Sequence, residues 1–397
     1  MNDAWRFLMQ RKRLWYGLLG IVGIFLVTAV ILYFYARQRV NIAPLVSDAE
    51  VADINLPDGF AIQIFAEGLR GPRFMAVGPD DVLYVADRGN DRIVALPDAD
   101  SDGRADEIRV LADGLNNPHN MVYHEGSWYV AVTEGVVRLE DEDGDGTADS
   151  QTTLIDTYLP PGQHSSRTIA FLPDGRLLIS AGSTCNVCEE EDPRRAAITS
   201  YDSPVGQDQL TGEQIYATGL RNAVGLAIHP ETGQLWVTNN GRDLMGDDTP
   251  PETVYIVEEG GDYGWPSCHS GTVLDPEFGF AGACEAAGQP VVSMQAHSAP
   301  LGLTFYAGDA FPAEYQGDLF IAFHGSWNRR VPTGYKIVRV PLDGSSPIGP
   351  VEDFATGWLN SDYSSDGRPV DVTVGADGAL YVSDDKGGFI YRIYAEP

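Results

Sequence analysis

Lysine is nearly missing from this chain of 397 residues: Lys12, Lys336 and Lys386 are the only ones. Lysine and arginine together number 26 against 57 aspartates and glutamates, a formal charge of -31. A surface of that balance repels phosphate backbones and anionic headgroups, which excludes nucleic acid as a partner. Cysteine is also scarce, at four. Cys185 and Cys188 form a C-x-x-C, but the βαβ setting of a thioredoxin-like motif is missing, and Glu189 stands where a c-type haem site needs histidine. The spacing of the four does not match the common zinc ribbons. Structural disulfides remain, built from Cys185, Cys188, Cys268 and Cys284, with three connectivities open. Helix-period patterns are scarce as well. The 44 glycines and 25 prolines are spread along the chain, which therefore reads as globular and turn-rich.

The N-terminus departs from this pattern. Leu14–Ala36 carries no charge and is about long enough to cross a bilayer. Arg6, Arg11, Lys12 and Arg13 precede it, and Arg37 and Arg39 follow. This modest basic excess predicts an N-terminus inside and the remainder outside the cytoplasm. A cleaved signal peptide is the rival reading, disfavoured by the long apolar core and the lack of a small-x-small cleavage site. The expected organisation is a cytoplasmic tail over 1–13, a transmembrane helix over 14–36, a linker over 37–59 and one domain over 60–397. That places the protein in the cytoplasmic membrane as a single-pass protein, with its domain on the periplasmic or exterior side.

Within the domain a unit recurs. It begins at Met75, Met121, Ile169, Leu226, Leu303 and Val372, as in "IAFLPDGRLLISAG" and "VTVGADGALYVSDD". Each is a short apolar strand, a tight turn and a second strand, usually with a third. Six such units at spacings of about 45 to 80 residues predict an all-β, six-bladed β-propeller. "FAIQIFAEGL" (Phe60–Leu69) precedes the first unit and is expected to supply the outer strand that closes the ring. The longer gaps, around Thr184–Gln214 and Ser267–Gln295, are expected to be excursions over one face.

The first strand of each blade lines the central channel, so the loop leading into it lies on one rim. Those leading loops are "GLRGPRF", "GLNNPHN", "PGQHSSR", "GLRNAVG", "QAHSAPLG" and "SDGRPVD". They bring Arg70 or Arg73, His119, His164 with Arg167, Arg221, His297 and Arg368 toward the channel. A ring of basic groups in so acidic a chain focuses positive potential, and arginine forks match carboxylates and phosphates. The expected ligand is an anion held in the channel mouth.

Taken in order, "GLRNAVGLAIHPETGQLW", "GGDYGWP", "HSAPLGLTF", "HGSWNR" and "DGRPVDVTVGADGALYVSDD" resemble the pyrroloquinoline quinone (PQQ)-dependent sugar dehydrogenases, most closely the sorbosone dehydrogenase branch. The resemblance covers the chain from about Leu56 onward. It implies a six-bladed propeller with PQQ, a tricarboxylate, and Ca²⁺ in the channel mouth, and an enzyme that oxidises a sugar or a sugar-derived aldehyde or alcohol. It implies His164 as the base and Arg221 facing the quinone carbonyls, with Asn222 beside it. The backbone carbonyls of Gly241 and Arg242 in "NNGRD" would hold Ca²⁺. Arg368 would pair with cofactor carboxylates, and His119 or Asn120 would be a polar contact. Arg167, His297, Trp327 and Arg329 fall near the site by the same resemblance. Val370 stands where the soluble glucose dehydrogenases carry a second arginine, and "CNVC" is foreign to that branch, so a Cys185–Cys188 bridge touching the cofactor is a further expectation. The electrons would pass to a membrane quinone or a cytochrome.

Two acidic loops share D-x-D-x-D-G-x-x-D: Asp98, Asp100, Asp102 with Asp106, and Asp141, Asp143, Asp145 with Asp149. They match the front of a calcium loop but put Arg109 and Thr152 where the bidentate glutamate belongs, so solvated turns compete with weak Ca²⁺ sites. Two other functional classes stay open. A metal-dependent, gluconolactonase-type hydrolase needs carboxylate and Asn ligands in the channel, where this chain offers His and Arg. A non-catalytic binding propeller, or a family member that has lost its cofactor, is the other.

Overall fold

The computed structural model of the protein describes residues 53–396. The apolar span Leu14–Ala36, the tail before it and most of the linker lie outside the described residues. Among the described residues no helix is long and apolar enough to cross a membrane. The last linker residues belong to the folded body: Asn55 pairs with Thr356, and Ile54 and Leu56 pack against the core between the last two blades.

Six sheets follow one another along the chain, as the repeat predicts; each has four antiparallel strands, and the third adds a short parallel edge strand, Gly261–Asp262. From the inside outward, blade 1 is Pro72–Val77, Leu83–Asp87, Arg92–Leu96 and Arg109–Ala112. Blade 2 is Asn120–His124, Ser127–Val132, Gly135–Glu140 and Ser150–Ile155. Blade 3 is Arg167–Phe171, Leu177–Ala181, Ala197–Tyr201 and Gln214–Thr218. Blade 4 is Ala223–Ile228, Leu235–Asn239, Glu252–Val257 and Val292–Met294. Blade 5 is Pro300–Phe305, Leu319–Phe323, Lys336–Val340 and Glu352–Ala355. Blade 6 is Pro369–Val374, Leu380–Asp384 and Phe389–Ala395, completed by Phe60–Ala66 as expected. The second strands, such as Leu319–Phe323, are buried at every residue because a neighbouring blade covers each face. The long gaps are not pure excursions. The third strand of blade 3, Ala197–Tyr201, lies inside one, and the outer strand of blade 4, Val292–Met294, inside the other.

The inner strands abut in ring order and are latched by polar groups. Asn120 Oδ1 accepts from the Ile169 N–H (2.8 Å), Thr168 Oγ1 donates to the Val224 carbonyl (2.6 Å), and Thr238 Oγ1 donates to the Leu301 carbonyl (2.7 Å). Asp371 Oδ2 takes the Met75 N–H at 2.9 Å, joining the last blade to the first. Asp371 also explains Gly302, where a β-carbon would meet Oδ1 at 1.9 Å. At the mouth end the channel is plugged by Phe74, Val224, Leu301 and Val370, one each from the inner strands of blades 1, 4, 5 and 6.

The closing strand is anchored by Phe60, whose ring meets Phe311, Tyr315 and Phe354 edge-on at 4.7, 5.1 and 5.2 Å. Phe60→Ala should cost about 3–5 kcal/mol by emptying the cluster that anchors the closing strand. Denaturant unfolding of wild type and variant checks this; a loss below about 1 kcal/mol would show that the strand closes the ring without it.

Candidate functional site

In these sheets the loops at the mouth are of two kinds. Leading loops run from one blade's outer strand to the next inner strand. Loops between the second and third strands of each blade reach the same rim, because antiparallel neighbours return the chain to it. The leading loops were legible as His and Arg positions; their partners come largely from the second set.

His164 sits on the leading loop of blade 3. Its Nδ1 lies 3.0 Å from both the carbonyl oxygen and Oγ of Ser183. A carbonyl only accepts, and Ser183 Oγ gives its own proton to the Cys185 carbonyl (2.6 Å). Nδ1 therefore carries the proton, and Nε2 carries the lone pair. Burial, reinforced by Arg221, pushes this imidazole down to about 3, so it is neutral at pH 7. Arg221 is held on every side: Nε donates to the Asn186 carbonyl (2.9 Å), and Nη2 to Asn186 Oδ1 (2.9 Å) and Asp243 Oδ2 (2.7 Å). Asn222 lies beside it, its N–H donating to Asn239 Oδ1 at 3.0 Å.

Across the mouth stands a second cluster. Arg73, the buried one of the two arginines in its loop, donates from Nη1 to Asp385 Oδ2 (2.7 Å) and from Nε to His119 Nδ1 (3.2 Å). His324 Nε2 lies 3.0 and 3.1 Å from the two Asp385 oxygens and so donates. Burial opposes the Asp385 charge, but His324, Arg73 and Arg368 outweigh it and hold the carboxyl well below its usual range. Arg368 binds only the carbonyls of His324 (3.0 Å) and Gly325 (2.8 Å) and makes no salt bridge among the described residues. His119 is buried, and its Nε2 has no hydrogen-bond partner among the described residues. Neither Asp385 nor His324 was picked out from sequence. His324 was readable as the first residue of "HGSWNR", whereas Asp385 looks like an ordinary turn acid.

Other expected residues serve the frame of the site. Asn120 gives its carbonyl oxygen to the seam between blades 2 and 3. Arg167 is fully buried beside Tyr158 and donates to the carbonyls of His164 (3.1 Å) and Ser166 (2.9 Å), stiffening the loop that carries the histidine. His297 Nε2 donates to the Gly246 carbonyl (2.8 Å), and Arg329 grips the Asp247 carbonyl and Asp248 (3.1 Å); both pin the 243–248 loop. Asn328 joins them by donating to Asp243 Oδ1 at 2.9 Å. Trp327 is exposed at the rim. Val370 is completely buried in the apolar plug, so the second arginine of the soluble enzymes has no counterpart at that depth.

Gly241 and Arg242 occupy the loop after the second strand of blade 4. The Gly241 N–H is bound by Glu252 Oε2 (2.7 Å), and the Arg242 side chain turns away to Asp275 and Glu277. No hydrogen bond among the described residues reaches their two carbonyl oxygens, which leaves them available to a cation. The disulfides are Cys185–Cys188 and Cys268–Cys284. The Cys185–Cys188 sulfurs neighbour Thr184 and Glu190, and Asn186 between them makes the contacts to the site. The two acidic loops join third to fourth strands and so lie on the opposite face. Carboxylate oxygens of Asp98, Asp100 and Asp106, and of Asp141, Asp143 and Asp149, converge within 4.8 Å. Asp102 and Asp145 instead accept the N–H of Arg104 and of Thr147, each at 2.8 Å.

Among the described residues the buried Arg167 and Arg195 and the half-buried Arg368 thus donate from their side chains only to main-chain carbonyls. Of these, Arg368 faces the mouth with no salt bridge among the described residues, and the orphaned His119 Nε2 adds an unmet donor. Free carbonyls on one side and unmet cationic donors on the other fit a polyanionic ligand with a bound metal ion.

Comparison with known proteins bears on the family and the fold of the chain. The family model "Glucose / Sorbosone dehydrogenase" matches residues 119–392. An uncharacterised protein of Borreliella burgdorferi is 29% identical over 86% of this chain and 91% of its own length. A PQQ-dependent pyranose dehydrogenase of Coprinopsis cinerea is 25% identical over 86% of this chain, which spans 54% of that enzyme. The solved PQQ domain of a pyranose dehydrogenase from Coprinopsis cinerea, in its holo form, superposes with a TM-score of 0.75 at 22% identity, over 89% of this chain and 99% of that one, which shows the shared fold.

The depressed His164 has a consequence for stability. Its folded value lies below the unfolded one, so it costs nothing above pH 6.5 and destabilises progressively as pH falls from there toward about 3. Asp371 and Glu252, pushed up by burial to about 7 and about 8, act in the opposite sense over the same window. The difference between variants isolates the histidine: His164→Gln should lose less stability than wild type between pH 7 and pH 5, read as denaturant midpoints. Equal losses would mean that His164 protonates freely in the folded chain.

Proposed function

This chain belongs to the glucose/sorbosone dehydrogenase family, and we propose that it is a quinoprotein oxidoreductase, anchored in the cytoplasmic membrane, that oxidises a sugar or a sugar-derived aldehyde or alcohol with PQQ and Ca²⁺. The observation that carries the reading is the neutral His164, its Nδ1–H locked onto Ser183 and its Nε2 lone pair free, set beside Arg221 above an apolar floor. A general base must be unprotonated at working pH, within reach of the hydroxyl and fixed in tautomer, and His164 meets the first and third conditions by its surroundings.

Arg368, Arg221 and His119 would bind the cofactor's carboxylates and ring oxygens, and the carbonyls of Gly241 and Arg242 would hold the metal ion. When bound, PQQ supplies a two-electron acceptor and Ca²⁺ a Lewis acid that polarises it. His164 Nε2 takes the proton of the substrate hydroxyl. Arg221, kept rigid by Asn186 and Asp243, presents a fixed positive charge to oxygens that become negative as that proton leaves. Phe74, Val224, Leu301 and Val370 close the channel below and exclude water from that side. The electrons would leave to a membrane quinone or a cytochrome on the extracytoplasmic side. A metal-dependent hydrolase is disfavoured because Asp243 and Asp385, at the mouth, are ion-paired to Arg221 and Arg73.

Titrating the purified protein with PQQ and Ca²⁺, then following dye reduction over a panel of aldoses and aldehydes, tests the proposal. His164→Ala should lower kcat/KM by about 10²- to 10⁴-fold while PQQ affinity stays within about threefold. A protein that binds no PQQ would leave the binding-propeller reading standing, and full activity in His164→Ala would remove this histidine as the base.

A further inference from the structure

The residues Thr184–Cys188 stand out as a short cross-linked loop that touches both halves of the proposed machinery. It follows the second strand of blade 3 and enters the mouth between His164 and Arg221. Asn186 is held between the two bridged cysteines and uses both ends of its amide. Its Oδ1 accepts from Arg221 Nη2 (2.9 Å) and from the Asp243 N–H (2.8 Å), and its Nδ2 donates to the Asp243 carbonyl (3.0 Å). Its main-chain carbonyl takes the Arg221 Nε–H at 2.9 Å. One residue earlier, the Cys185 carbonyl takes the Ser183 hydroxyl proton, which turns the Ser183 lone pairs toward His164 Nδ1. Glu190 closes the loop from outside, accepting from the Thr184 N–H (2.6 Å) and Oγ1 (2.8 Å).

We infer that the Cys185–Cys188 loop is a brace that sets His164 and Arg221 relative to each other, with Asn186 as its positioning residue and the disulfide as the element that holds Asn186 in place. The catalytic meaning of the brace rests on the function proposed above; its geometry does not. A bridge that closes four residues removes little entropy from the unfolded chain, so its contribution to global stability is small. Its effect is local: without it the carbonyls of residues 185 and 186 lose their fixed directions, and the hydrogen bonds to Ser183 and Arg221 lose their alignment. The Cys268–Cys284 bridge, with a sequence separation of 16, differs in kind, since it staples the loop that receives Arg242.

His164 reports on the brace even in the absence of any cofactor. The charges that face its ring are Arg221, Arg195 and Arg167, and Arg221 is the largest of them. The test uses the full chain labelled at the histidine Cε1 carbons, with the His164 resonance assigned by its loss in His164→Gln. Asn186→Ala, and separately Cys185→Ser with Cys188→Ser, should raise the His164 titration midpoint by about one pH unit or more. The melting temperature should move by less than about 3 °C, and exposed Glu189→Gln should change neither. In the PQQ-loaded protein the same variants should lose about tenfold or more in kcat with KM within about threefold. An unmoved His164 titration in both variants overturns the brace, whatever the activity. A shifted titration in a protein that binds no PQQ upholds the brace and removes the proposed function instead.

Discussion

The pairing of Phe60–Ala66 with Phe389–Ala395 is the interaction on which everything else depends, because a ring of sheets has either no free seam or an open one. Each blade buries both faces only if it has a neighbour on each side, and an open seam would leave two apolar faces in water. The site depends on the same closure. Arg73, on the first blade, meets Asp385, on the last, across 312 residues of sequence, and His324 of blade 5 completes their contact. Without the ring these charges would be three ordinary surface residues.

The distribution of charge follows from that architecture. The outside of the molecule carries the acidic excess, which water screens at little cost. The mouth gathers Arg368, bound to main-chain carbonyls, with Arg221 and Arg73, which are ion-paired to Asp243 and Asp385. Such a site gathers positive charge inside an electronegative protein, and burial, reinforced by Arg221 and less by Arg195 and Arg167, keeps His164 neutral. The same feature that would draw an anionic cofactor thus also prepares the base beside it. The apolar plug beneath limits how deep a ligand can sit and accounts for Val370 at a position where a charge would be buried without a partner.

Much of this was legible before any coordinates. The six units were visible because first and second strands are short, apolar and joined by turns such as the Pro-Asp-Gly at 173–175, where Gly175 has a φ of 87°. The outermost strands were not, since Ser150–Ile155 and Gln214–Thr218 are half exposed and carry mixed polar residues that read as loop. Among site residues, His164, Arg221 and Arg368 could be found because histidine and arginine ahead of a buried strand are conspicuous. Their partners Asn186, Asp243, Asp385 and Asn328 could not, because they sit on loops rich in Asp, Asn and Gly, where one such residue looks like another.

The sequence by itself determined the number of blades, the strand that closes them, the face on which the basic loops gather and the family to which they belong, since each is written in local periodicity or in a contiguous motif. Which of those basic residues face the mouth was decided only by the tertiary structure. Alternation along a strand sends Arg167 into the seam beside Tyr158 while Arg73, His119 and Arg368 converge on the mouth, and side-chain partners on other blades hold His297 and Arg329 to a loop wall. The protonated nitrogen of His164 was decided there too, because a tautomer is set by the carbonyl it meets, and that carbonyl lies 19 residues away on another loop.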